Sequence, residues 1–277
     1  MKYAIYALSF LLFISCSSDD EPLKDYSVEN EQEIIEYIAQ HNIDAQKTNS
    51  GLYYKIDELG SGDEITASSD ISVKFKGTLT NGTVFQDTGD DIASFNLQGL
   101  IRGWIEGLQF FRHGGSGTLI IPAHLGFGST ANGNIPAGSV LVFEIDIIDF
   151  KAENDEEIIN YLEENEISNA VKTNSGLYYV VEEEGSGEFP TETADVTVVY
   201  SGYFTDGEIF DESNVSGATF NLSQVIAGWT EGMTYFKEGG KGKLFIPAHL
   251  AYGVFDYSGI PGGSVLIFDV ELKNVIN

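Results

Sequence analysis

The octapeptide KTNSGLYY occurs at residues 47–54 and again at 172–179, 125 residues later. Trp104 and Trp229 stand the same distance apart, as do Pro122 and Pro247, and Phe143 and Phe268. The register therefore holds across a whole unit without a net gap. Solenoid repeats run about 20–50 residues and need three or more copies to bury a core. A longer period that occurs twice describes two tandem globular domains, each long enough to bury a core of its own.

Within each copy the pattern is mostly that of strands. Ile71, Val73 and Phe75 alternate, and so do Val196, Val198 and Tyr200. Leu141, Phe143, Ile145 and Ile147 line one face of a closing strand, with Leu266, Phe268, Val270 and Leu272 in the second copy. Asn81-Gly82 and Asp206-Gly207 mark hairpin turns.

One internal segment per copy has helical spacing: Leu100, Ile101, Trp104 and Leu108, matched by Val225, Ile226, Trp229 and Met233. Glycines flank both tryptophans, in LIRGWIEGL and VIAGWTEGM, although each costs about 1 kcal/mol inside a helix relative to alanine. A helix crossing the concave face of a sheet gains close approach from such glycines. The tryptophan then either fills core or floors the space that remains.

A short amphipathic helix precedes each copy, carried by Ile34, Ile35, Tyr37, Ile38 and Ile43 and by Ile158, Ile159, Tyr161, Leu162 and Ile167. These segments are offset by 124 residues. The expected architecture is α+β, an antiparallel sheet wrapped around one short α-helix in each unit.

Composition narrows function by exclusion. The formal net charge is −29, with 14 basic against 43 acidic residues. Phosphate backbones and anionic lipid surfaces require clustered Lys and Arg, so no nucleic-acid partner is expected. His41, His113, His124 and His249 occur singly, without the spacing of a zinc site, and no metal or cofactor is expected. GGSG and GGKG lack the downstream Lys-Ser/Thr of a phosphate-binding loop.

The N-terminus reads as a separate module. Lys2 precedes an apolar run from Tyr3 to Ile14, too short for a membrane span and suited to a secretory signal. Cys16 is the only cysteine and has no intrachain disulfide partner. Ser15 and Cys16 resemble the lipobox of a bacterial lipoprotein signal, which implies lipidation of Cys16. SSDDEPLKDYSVE then reads as an acidic tether. Acidic residues directly after such a cysteine resemble the surface-export signal of Bacteroidetes-type lipoproteins. The expectation is a cell-envelope protein anchored by lipid in the outer membrane, facing either the periplasm or the surface.

Four ordered stretches of the second copy carry a more specific resemblance: VVYSGYFTDGEIFDES, FNLSQVIAGWTEGM, IPAHLAYG and GIPGGSVLIFDVEL. At this spacing they resemble the FKBP-type peptidyl-prolyl cis-trans isomerases, over about 105 residues in each copy. The resemblance implies a pocket built from Tyr200, Phe210, Asp211, Val225, Ile226, Trp229, Tyr252, Ile260 and Phe268, with Phe220 as a wall. It implies that the Trp229 indole underlies a proline ring, that the Tyr252 hydroxyl meets the twisted carbonyl, and that the Ile226 amide contacts the bound chain. It also implies binding of proline-containing segments of exported proteins and of FKBP-type macrolide inhibitors.

Under this resemblance the chain divides into a signal peptide (1–15), an acidic tether (16–29), a short helix (30–46), a first FKBP-like domain (47–151), a connecting helix (152–171) and a second FKBP-like domain (172–277). A monomer is expected.

The two pockets differ in a consistent way. The first keeps an apolar lining of Phe85, Phe95, Leu100, Ile101, Trp104, Ile135 and Phe143, but has Phe75, Gln86 and Phe127 where the second has Tyr200, Asp211 and Tyr252. The resemblance implies that the first tyrosine pairs with the acid. Losing one partner alone would leave a buried polar group single, at about 1–3 kcal/mol. Both are replaced together, so the first pocket is expected to fold and to catalyse poorly. Two functions remain open: an isomerase active mainly in the second domain, and a polypeptide-binding module without catalysis. Phe255 and Tyr257, in a loop beside the second pocket, suit both.

Overall fold

The computed structural model describes residues 24–277. The expected signal peptide, Cys16 and most of the expected tether lie outside the described residues.

Helix α1 (Ser27–His41) is followed by seven strands: β1 (Gln46–Lys47), β2 (Tyr53–Glu58), β3 (Asp70–Leu79), β4 (Val84–Asp87), β5 (Ala93–Asn96), β6 (Ser116–Ile121) and β7 (Leu141–Ile147). Helix α2 (Arg102–Gly107) lies between β5 and β6. After α3 (Phe150–Glu164) the pattern repeats as β8 (Val171–Lys172), β9 (Tyr178–Glu183), β10 (Asp195–Tyr203), β11 (Ile209–Glu212), β12 (Ala218–Asn221), α4 (Ala227–Gly232), β13 (Lys241–Ile246) and β14 (Leu266–Ile276). The sheets run β1-β2-β6-β7-β3-β4 and β11-β10-β14-β13-β9-β8, with β5 and β12 paired to β3 and β10. Every pairing is antiparallel.

The alternation read from sequence sets the two faces of each sheet. Ile71, Val73, Phe75, Leu141, Phe143, Ile145 and Ile147 share one core with Trp104 and Leu108. Val196, Val198, Leu266, Phe268, Val270 and Leu272 share the corresponding core with Trp229 and Met233. On the opposite faces, Ile34 of α1 packs with Tyr53, Ile120 and Val142, and Ile158 and Leu162 of α3 pack with Tyr178, Phe245 and Ile267. Each sheet is thus covered on both sides, and α1 and α3 are integral layers of their units.

The glycines around the tryptophans act by close approach. A Cβ on Gly228 would lie 2.4 Å from Ile246 Cγ2, and one on Gly232 would lie 2.7 Å from Leu244 Cδ2. Gly103 and Gly107 meet Ile121 and Leu119 at 2.4 and 2.7 Å. Forcing a methyl into such a contact costs typically about 1–3 kcal/mol, more than the roughly 1 kcal/mol of propensity that alanine returns. Glycine therefore wins at these positions.

The helices differ from the spacing in four respects. Leu100, Ile101, Val225 and Ile226 precede the helices in extended backbone, with Ile226 at φ −61° and ψ 148°. Their apolar spacing reflects one shared pocket wall and not one helical face. The leading helix expected over 30–46 runs from Ser27 and ends at Asn42, whose left-handed φ of 53° reverses the chain. The connecting helix expected over 152–171 runs Phe150–Glu164, because the Asp149 carboxylate caps it by accepting from the N–H groups of Lys151 and Ala152. Ile35 and Ile159, expected on the packed faces, are exposed.

KTNSG, the best-matched stretch of the repeat, is structural. Thr173 N–H donates to the Leu177 carbonyl at 2.9 Å across a turn that holds Gly176 at φ 95°. From that turn Ser175 Oγ donates to Glu231 of α4 at 2.6 Å, and His249 Nε2 lies 2.8 Å from the Ser175 carbonyl. Ser50, Glu106 and His124 repeat the arrangement. One turn thereby fixes the tryptophan helix and the end of the central hairpin to each other.

Candidate functional site

Trp229 is 4% exposed and sits on α4 with three rings turned edge-on to it. Tyr200 of β10, Phe220 of β12 and Phe268 of β14 stand 5.1, 5.5 and 5.3 Å away between centroids, at 86°, 76° and 86°. Perpendicular packing satisfies the aromatic quadrupoles and leaves the indole as a flat floor. Phe210 of β11 extends the wall, edge-on to Phe268 at 5.5 Å.

Val225 and Ile226 border the floor from the extended segment that enters α4. The Ile226 N–H has no intrachain acceptor among the described residues. It is therefore an available backbone donor beside an apolar surface. Tyr252 and Ile260 close the far side from the loop between β13 and β14.

All nine residues singled out in the second unit line one cavity of 620 Å³, a volume suited to a small molecule or a short peptide segment. Phe220, Gln224, Tyr257 and Ser258 line it as well. Sequence reasoning placed Tyr257 only beside the pocket and passed over Gln224 and Ser258. The available signal was a difference between the copies, since Gln224 and Tyr257 answer to Gly99 and Asn132.

The polar groups sit at the rim. Tyr200 Oη donates to Asp211 Oδ2 at 2.8 Å. Burial, then the hydrogen bond and charge of Asp211, hold the Tyr200 hydroxyl well above the usual phenol range, so it is a neutral donor at physiological pH. Asp211 itself is exposed, so the pair faces water and single loss of either partner costs less than a buried pair would. Tyr252 is 38% exposed, and its hydroxyl has no intrachain partner among the described residues. Burial, with the nearby Tyr257 and Asp211, likewise raises its pKa. The Tyr252 ring stacks on Tyr257 at 4.5 Å and 10°.

In the first unit the same elements hold the same frame with fewer polar atoms. Phe75 and Phe143 meet Trp104 edge-on at 5.1 and 5.2 Å, and Phe85 meets Phe143 at 5.5 Å. Phe75 is buried where Tyr200 is half-buried, because a ring without a hydroxyl has nothing to keep at the rim. Ile135 is buried, and Leu100, Ile101 and Phe127 pack half-buried against the core. Gln86 is exposed on β4, opposite Gly77 in the register where Asp211 faces Gly202.

No cluster of His, Cys, Asp and Glu that would hold a metal occurs among the described residues. The four histidines each lie against a backbone carbonyl: His41 on Tyr37, His113 on Ile148, His124 on Ser50 and His249 on Ser175.

Comparison with known proteins identifies a family. The family model for FKBP-type peptidyl-prolyl cis-trans isomerases matches residues 62–148 and 186–273. The chain is 46% identical over 127 residues to the FKBP-type peptidyl-prolyl cis-trans isomerase FkpA of Escherichia coli, covering 45% of this chain and 47% of the relative. It is 48% identical over 123 residues to FkpA of Aeromonas hydrophila, covering 43% and 46%. The crystal structure of Escherichia coli FkpA shares 42% identity with a TM-score of 0.41, over 45% of this chain and 60% of that chain. The chain thus spans about half the length of the curated relatives it matches.

Proposed function

Because the chain belongs to the FKBP-type peptidyl-prolyl cis-trans isomerase family, matched twice along its length, we propose that it isomerises X–Pro bonds of exported polypeptides, mainly in its second unit. The observation that carries this reading is the hydroxyl-bearing rim of the second pocket, Tyr200 with Asp211 and a Tyr252 that is unpaired among the described residues, over the apolar floor of Trp229.

Rotation about a peptide bond has a barrier of about 18–20 kcal/mol, and uncatalysed X–Pro isomerisation takes tens to hundreds of seconds. The barrier is the amide resonance lost on twisting. Water favours the planar, charge-separated amide, whereas an apolar pocket matched to the twisted form reverses part of that preference without a nucleophile. In this mechanism the proline ring rests on Trp229 between Phe210, Phe268 and Ile260. The Ile226 N–H holds the bound chain, and the neutral Tyr252 hydroxyl donates to the carbonyl as it leaves the amide plane.

Turnover of a proline-containing peptide by the chain, inhibited by an FKBP-type macrolide that also changes Trp229 fluorescence, is the expected result. Absence of both turnover and inhibitor binding would discard the assignment. A second reading is retained on one observation: Tyr257, which lines the cavity, and Phe255 of the same loop are 55% and 40% exposed. They offer an apolar landing surface for unfolded chain, and binding without turnover would favour that reading.

The proposal places the protein on a membrane through lipid on Cys16, with the periplasmic and surface faces both open. Cys16→Ala is expected to move the chain out of the detergent phase in partitioning. A variant that still partitions with detergent is anchored by something else.

A further inference from the structure

Asn154 lies on α3, far in sequence from the pocket, and is 2% exposed. A buried carboxamide is tolerated only when it is hydrogen-bonded. Its Nδ2 donates to the Gly263 carbonyl at 2.8 Å, and its Oδ1 accepts from the Ala248 N–H at 2.8 Å. Those two backbone groups are the two ends of the loop between β13 and β14, which carries Tyr252, Tyr257 and Ile260. Inside that loop Gly253 N–H donates to the Ala248 carbonyl at 2.8 Å, and Gly263 N–H to the Gly253 carbonyl at 2.9 Å. The Phe150 ring covers Gly263 so closely that a Cβ there would meet its Cε1 at 2.3 Å.

Asn30 of α1 makes the same pair of bonds in the first unit, to Gly138 and Ala123, with Tyr26 over Gly138. A polar residue recurring in two amphipathic helices, each time across the base of the same loop, is a fastening and not an accident of packing.

We propose that Asn154 is a positioning residue for isomerisation: α3 clamps the two ends of the pocket loop, and so fixes the Tyr252 hydroxyl and Ile260 over Trp229 without touching substrate. The proposal rests on the reading that the second pocket turns over X–Pro bonds. Catalytic geometry is sensitive at this scale, since a misplacement of about 1 Å can cost on the order of 100-fold in rate.

The test is made on the full chain. Asn154→Ala is expected to lower kcat/KM for an X–Pro peptide on the order of 10-fold. It should also speed amide exchange at Gly253 and Gly263 by about 10-fold or more while leaving the β10–β14 ladder unchanged. Phe150→Leu, which keeps apolar bulk on the helix, should give a smaller change of the same pattern and serves if Asn154→Ala folds poorly. Asn30→Ala should loosen the first loop and leave turnover as it was. Uniform acceleration of exchange across the unit would mean a merely structural role and overturns the proposal. Turnover lost with Tyr252→Phe but kept with Asn154→Ala also overturns it, leaving the reading of the pocket intact. Turnover kept by both variants removes that reading, and the proposal with it.

Discussion

A chain carrying Tyr200→Phe, Asp211→Gln and Tyr252→Phe should turn over an X–Pro peptide roughly 10- to 150-fold more slowly than the natural sequence, the equivalent of a lost transition-state hydrogen bond of about 1.5–3 kcal/mol. These three changes replace Tyr200, Asp211 and Tyr252 by the residues of the first pocket and leave the apolar walls in place. Most of the loss belongs to Tyr252, which lines the cavity and whose hydroxyl has no partner among the described residues, and so is available to a carbonyl. Little stability should be lost, because the Tyr200–Asp211 bond lies at an exposed rim. The reverse set, Phe75→Tyr, Gln86→Asp and Phe127→Tyr, placed in that weakened chain, should restore part of the turnover from the first unit. Turnover unchanged by the first set would sink the proposed division of labour.

Trp104→Ala and Trp229→Ala should each cost about 3–5 kcal/mol in the unit that contains them, the usual range for emptying a large aromatic site. Both indoles are 4% exposed and ringed by perpendicular aromatics, so their packing roles are equivalent. Denaturant unfolding followed by circular dichroism measures that cost. Only Trp229→Ala should also remove most turnover and macrolide binding. Equal loss of turnover from Trp104→Ala would show that the first unit shares the chemistry.

Much of this was legible in the sequence because the repeat doubles each signal. Period-2 alternation marked β3, β7, β10 and β14, and the paired tryptophans marked the helix beneath each sheet. Residues chosen on the family resemblance came together around one cavity, since Tyr200, Phe210, Asp211 and Phe268 hold fixed positions on the sheet, while Val225, Ile226 and Trp229 reach it from α4 and the segment before it, and Tyr252 and Ile260 from the β13–β14 loop. Helical spacing misled at Val225 and Ile226, because a pocket wall and a helix face impose the same apolar demand at positions one turn apart. The clamp by Asn30 and Asn154 was invisible to hydrophobic patterning, which counts a polar residue on a helix as solvated. Its partners are backbone atoms more than 90 residues away. The recurrence of asparagine four residues before Ile34 and Ile158 was the only trace it left.

The place of β7 and β14 in their sheets bears on how the chain is made. Each lies in the middle of its sheet, between β6 and β3 or between β13 and β10, yet is the last strand of its unit to be synthesised. Until it arrives, each of its two future neighbours has one unpaired side, the condition that invites pairing with a foreign strand. Insertion of that strand closes the sheet and delivers Phe143 or Phe268 to the aromatic wall in one step. A ribosome-bound chain cut short within the second unit therefore has no half-working pocket. The last strand of the first unit, β7, precedes every strand of the second, so a chain that appears N-terminus first can complete one sheet before the other begins.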